Sequence, residues 1–107
     1  MTPDISIEKV VHIIFQAREN GRPGELHAFI DALNDDEKAH LVAIAWVGRG
    51  AFEPEDYAEA VATAFAEATS PTADYLMGMP HLSENLESGL ESLEIDVTEA
   101  EEGFYDR

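Results

Sequence analysis

The 107 residues contain no cysteine, which excludes disulfides, thiolate zinc sites, iron–sulfur ligation and a cysteine nucleophile. Basic residues are scarce: six Lys and Arg stand against 23 Asp and Glu, a formal net charge of −17. Holding a phosphate backbone or an anionic membrane needs a basic footprint to displace counterions, so direct nucleic-acid and membrane binding are not expected. The longest apolar run, Leu41–Val47, falls far short of the roughly 20 residues that cross a bilayer. The opening MTPDISIEK carries acids where a secretion signal carries bases, so the expected location is the cytoplasm.

By size the chain is one domain. Its acidity is spread throughout. Residues 94–107 hold six acids and one base, net −5, which leaves −12 on residues 1–93. Such a field keeps a protein soluble. It also suits a basic partner, including the nucleic-acid-binding face of another protein.

Hydrophobic spacing is helical nearly everywhere. Ile7, Val10, Val11 and Ile14 form one stripe, with Phe15 widening it and Ser6 placed as the N-cap. Asn20–Gly24 stacks turn signals, and Leu26, Phe29, Ile30 and Leu33 then repeat the stripe. Asn34-Asp-Asp-Glu37 has the capping-box spacing and opens a third helix over Asp35–Val47. That helix is apolar around most of its circumference, so it is predicted to be central, with Trp46 largely buried and Gly48 as a left-handed stop. Pro54 suits the first position of a fourth helix whose buried face is Tyr57, Val61, Ala64, Phe65 and Ala68. A short helix over Pro71–Met77, closed by Gly78, precedes a last one striped by Leu82, Leu86, Leu90 and Leu93. The expected architecture is all-α: a single-domain bundle of five or six short helices over 1–93, with a disordered acidic tail over 94–107.

Little in this pattern carries chemistry. Glu37-x-x-His40 has the helical spacing of a di-iron ligand pair, but no second copy exists, so no metal and no cofactor are expected. Glu8 with His12 and His81 with Glu84 also lie one turn apart, as chance allows among so many acids. None of the serines has nucleophile-elbow context, and Gly48-Arg49-Gly50 is too short for a phosphate loop. Two features stand out. Arg49, between two glycines beside Trp46, would either satisfy helix-end carbonyls and pair with an acid, or offer its planar fork to an external anion. Tyr75–Leu82 makes a rigid corner holding two methionines, which would face either the core or a partner.

The blocks Leu41–Gly50 (LVAIAWVGRG) and Tyr75–Leu90 (YLMGMPHLSENLESGL), with the acid-rich helix start Phe52–Tyr57 between them, resemble a bacterial domain-of-unknown-function family, number 3775. Its patterns are Leu-x-Ala-x-x-Trp-x-Gly-Arg-Gly and Tyr-Leu-x-Gly-x-Pro-x-Leu-x-x-x-Leu-x-x-Gly-Leu. The likeness covers Leu26–Leu93, leaves the acidic tail outside, and implies no activity. The leading expectation is therefore a non-enzymatic protein-interaction or regulatory module, its contacts made by Arg49, Trp46 and Tyr75 with a protein partner, basic or a second copy. The next is an acidic decoy occupying a nucleic-acid-binding surface, and the third a metal-dependent enzyme.

Overall fold

The computed structural model describes residues 5–19, 21–67 and 71–93. Among them six α-helices follow in order, with no strand: α1 (Ile7–Glu19), α2 (Pro23–Asp31), α3 (Asp35–Arg49), α4 (Tyr57–Ala66), α5 (Thr72–Met77) and α6 (Leu82–Ser92). The tail 94–107 and Ala68 lie outside the described residues.

Local chemistry sets where the helices start. The Ser6 hydroxyl accepts from the Lys9 amide at 3.2 Å, and Pro23 fills the first position of α2, where no amide donor is needed. At α3 the capping box is complete: the Asn34 side chain accepts from the Glu37 amide at 2.8 Å, and Glu37 reaches back to the Asn34 amide at 3.0 Å. Pro54 opens a 3-10 turn, Pro54–Asp56, instead of α4 itself, and α4 begins one turn later than the sequence suggests, at Tyr57.

Helix α3 is the hub. It packs chiefly on α6 and α4, while α1 lies against α6 and α2, and α2 against α5. Leu41, Ala43, Ile44 and Ala45 are fully buried in it, with Ile13, Ile30, Tyr57, Leu76, Leu86 and Leu90 from the surrounding helices. The leucines of α6 and Val10, Val11 and Ile14 of α1 point inward as read, whereas Ile13, outside the predicted stripe, is fully buried and Phe15 is only half-buried. Phe65 does not point inward. It is 46% exposed, because α4 turns Tyr57, Ala60 and Ala64 to the core and Phe65 lies one residue, about 100°, round from Ala64.

The glycines of the Gly48-Arg49-Gly50 turn divide their tasks differently from expectation. Gly50 is the left-handed residue, with φ +87°, and α3 runs on to Arg49. Gly48 is an ordinary helical residue whose missing Cβ is what matters. A Cβ there would sit 1.7 Å from the Asn85 carbonyl oxygen, and one on Gly89 would sit 2.1 Å from the Ile44 carbonyl oxygen. The backbones of α3 and α6 touch at these two glycines. The two sequence blocks that carry the family resemblance therefore meet each other in space at Gly48 and Gly89.

Candidate interaction surface

The stop of α3 builds the surface. With Gly50 in the left-handed conformation, its amide donates to the Val47 carbonyl at 3.1 Å and the Ala51 amide to the Trp46 carbonyl at 2.9 Å. This pair of bonds satisfies the end of the helix and turns the chain back over it. Phe52 is thereby laid on the Trp46 indole, ring centroids 5.6 Å apart and planes 23° apart, an offset stack.

Trp46 follows from helix geometry. Gly48 faces α6, and two residues earlier is about 200° round the helix, so Trp46 points away from α6. The indole is half-buried, not buried as the composition of α3 suggests. Its N–H finds a partner at the surface, donating to the Tyr75 hydroxyl of α5 at 2.8 Å. Tyr75 is 39% exposed, whereas its corner neighbours Leu76 and Met79 are buried. Two of the three sequence candidates thus meet directly, 29 positions apart in the chain.

Arg49, the third, is three residues beyond Trp46 and so its neighbour on the helix surface. It is exposed, and its side chain makes no ion pair or hydrogen bond with any described residue. The contrast with the other described arginines is sharp, since Arg18 pairs with Glu87 at 3.1 Å and Arg22 with Glu25 at 3.3 Å. Of the two outcomes set for Arg49, the exposed cation is the one found. Sequence reasoning missed Phe52 as a member of the patch. Its signal was available: it stands two residues past the helix stop, where an apolar residue folds back onto the last turn.

The other candidates have local partners. Glu37 accepts from Lys9 and from the Asn34 amide, which together hold its carboxyl below the usual carboxylate range, the Lys9 bond being the larger cause. His40, on the same helix face, turns to the buried Tyr57 hydroxyl at 2.6 Å. The pair therefore does not converge. Among the described residues no three His, Asp or Glu side chains are grouped to hold a metal ion. At the α5–α6 corner, the Ser83 hydroxyl donates to Glu84 Oε1 at 2.6 Å and His81 Nδ1 meets Glu84 Oε2 at 3.1 Å. These bonds, Ser83 first and His81 second, hold the Glu84 carboxyl below its ordinary range. Serine and histidine both end on the carboxylate instead of on each other, so no imidazole faces the hydroxyl.

No described helix is long and apolar enough to cross a membrane. No curated protein and no solved structure matches the chain. A family model matches residues 23–95, more than half of the length, from the start of α2 to just past α6. The chain belongs to the family described as protein of unknown function (DUF3775), and α1, which lies outside the matched span, packs onto it.

Proposed function

We propose that this chain is a non-enzymatic protein-interaction module of the bacterial cytoplasm, and that it contacts its partner through Trp46, Phe52 and Tyr75 with Arg49 at the border. The observation that carries the reading is Arg49. In a chain with 23 carboxylates, an arginine beside an aromatic shelf faces solvent with no described acid upon it. A structural arginine would be paired, because bidentate guanidinium–carboxylate contacts are strong and acids are abundant here. Trp, Tyr and Arg are also the residues in which binding energy concentrates at protein interfaces.

The test is comparative capture from bacterial lysate with wild type, Arg49→Glu and Phe52→Ala, each checked by thermal melt. A protein retained by wild type and lost with both variants, at unchanged melting temperature for Arg49→Glu, supports the reading. An identical retained set for all three overturns it.

A further inference from the structure

The chain carries a segment whose chemistry is the complement of the surface around Trp46. Residues 94–107 hold six acids, and among them stand two adjacent aromatics, Phe104 and Tyr105, followed directly by Asp106. The surface offers aromatic area on Trp46, Phe52 and Tyr75, and a cation in Arg49 that has no ion pair with a described residue. Other bases are less suited. Lys9, Arg18 and Arg22 each hold an acid already, and Lys38 follows directly on Asp35, Asp36 and Glu37. Asp74, the acid next to Tyr75, is drawn off to His27 of α2 at 2.7 Å.

Spacing and reach agree with this match. Trp46 and Arg49 are three residues apart on α3, which sets their Cβ atoms about 5–6 Å from each other. In an extended segment, residues two apart share a side and lie about 6.5 Å apart, so Phe104 and Asp106 meet Trp46 and Arg49 in register. Helices α3 and α6 run antiparallel, Gly48 beside Asn85 and Ile44 beside Gly89. Leu93 therefore comes out about two and a half turns before Arg49, roughly 13 Å along the axis. The eleven residues 94–104 extend to about 36–40 Å, enough to cover that distance and pass round a helix about 10–12 Å across. Loose association is excluded by charge: residues 94–107 are net −5 and the rest −12, so the overall field pushes them apart. Beyond about 8 Å that field is screened at physiological salt, which leaves the decision to the groups that touch.

We propose that residues 104–106 dock on this surface of their own chain, Phe104 and Tyr105 covering Trp46 and Tyr75 while Asp106 pairs with Arg49. This rests on the reading of that patch as a contact surface, and not on the identity of a partner. It makes the tail a tethered competitor. A tether of this length supplies an effective concentration of about 1 mM, so a contact of about 0.5 mM between separate molecules is about two-thirds closed within one. A partner then meets an occupied surface and binds about threefold more weakly than it would to a bare one.

Trp46 is the only tryptophan of the chain, so its emission reports this surface alone. In the full chain, Phe104→Ala, Asp106→Arg and Arg49→Glu should each red-shift that emission while the helical circular dichroism is retained. Combining Arg49→Glu with Asp106→Arg should return the emission toward wild type, because the pair is restored with its signs exchanged. A synthetic peptide of residues 99–107 should bind the Phe104→Ala chain about threefold more tightly than wild type, whose surface is already filled. Four results overturn the proposal: unchanged emission in Phe104→Ala, no recovery in the charge-exchanged pair, equal peptide affinity for the two chains, or a wild-type emission that red-shifts on dilution, which assigns the tail to a second copy. The partner reading fails in a different way. Identical capture by wild type, Arg49→Glu and Phe52→Ala, with the emission changes intact, removes the partner and leaves the tail as the occupant.

Discussion

Replacing Gly48 by alanine tests the central packing claim by the sign of its effect. In a helix interior, alanine is favoured over glycine by about 1 kcal/mol, so a Gly48 with no other task would yield a more stable protein. The structure argues the reverse. The new Cβ would stand 1.7 Å from the Asn85 carbonyl oxygen and 2.7 Å from the Gly89 amide nitrogen, where ordinary contact begins at 3.4 Å. Both obstacles are backbone, so no rotamer change relieves them, and α3 and α6 must part by more than an ångström. Parting them loosens Ile44, Leu86 and Leu90, each at most 1% exposed. Overpacking of this kind costs about 3–4 kcal/mol, above the usual 1–3, because the neighbours are backbone and cannot repack. Less the propensity gain, the net loss is about 2–3 kcal/mol, a large share of the roughly 5 kcal/mol that a small domain has. With a urea slope near 1 kcal/mol per molar for a chain of this size, the midpoint should fall by about 2–3 M. Far-ultraviolet circular dichroism at increasing urea reads it directly. Gly24→Ala, in the first turn of α2 where nothing lies within 4 Å, is the control and should leave the midpoint unchanged or raise it by up to about 1 M. A Gly48→Ala protein as stable as wild type, or more so, would refute the reasoning outright.

Other outcomes follow from the same contacts. Trp46→Ala should cost about 2 kcal/mol, below the roughly 3–5 of a fully buried aromatic, because the indole is only partly buried against the core; thermal melts measure it. Tyr75→Phe removes the acceptor of the indole N–H and should change tryptophan emission with less than about 1 kcal/mol of stability lost. Asn34→Ala removes half of the capping box and should destabilise by about 1 kcal/mol in urea titration. The folded Glu37 carboxyl lies below its unfolded range, so its stabilisation is full above that range and is lost as pH falls through the folded value. The melting-temperature gap between wild type and Glu37→Gln should accordingly be open at pH 7 and shrink toward pH 3, and a gap that widens in acid would contradict the assignment. Phe65→Gln, at an exposed position, should stay within about 0.5 kcal/mol of wild type by the same titration.

What the sequence makes legible here is what depends on neighbours three or four residues away. Asn34 and Glu37 announce their capping box, and Leu82, Leu86 and Leu90 their buried stripe, because helix periodicity alone decides both. Contacts between distant segments are another matter. Nothing near Trp46 predicts that its N–H ends on Tyr75, since that depends on where α5 lies against α3. Gly48 and Gly50 are equivalent as stop signals, and only α6, arriving from the far end of the chain, decides which one must lack a side chain for packing. Phe65 is misread for a related reason: Tyr57, Ala60 and Ala64 settle which face of α4 meets the core, and a helix rich in alanine gives the sequence little contrast from which to read that face. Arg49 was singled out from its setting between glycines, yet its freedom from described acids is a fact of three dimensions.

The glycine contact between α3 and α6 also bears on how the chain reaches its fold. The touching residues are about 40 positions apart, Gly48 with Asn85 and Ile44 with Gly89, so the contact closes a long loop that must include α4 and α5. At the glycines, backbone against backbone gives almost no reward at intermediate separation, because dispersion fades steeply over the last ångström. A collapsed chain with α3 and α6 merely near each other gains little, whereas the local helices with strong caps can form first and alone. The docking of α6 onto α3 is thus expected late, with Gly48→Ala accelerating unfolding far more than it slows folding. In a chain whose helices themselves form fast, that late docking, made together with the other long-range contacts of α6 on α1, is what would set the lifetime of the folded protein.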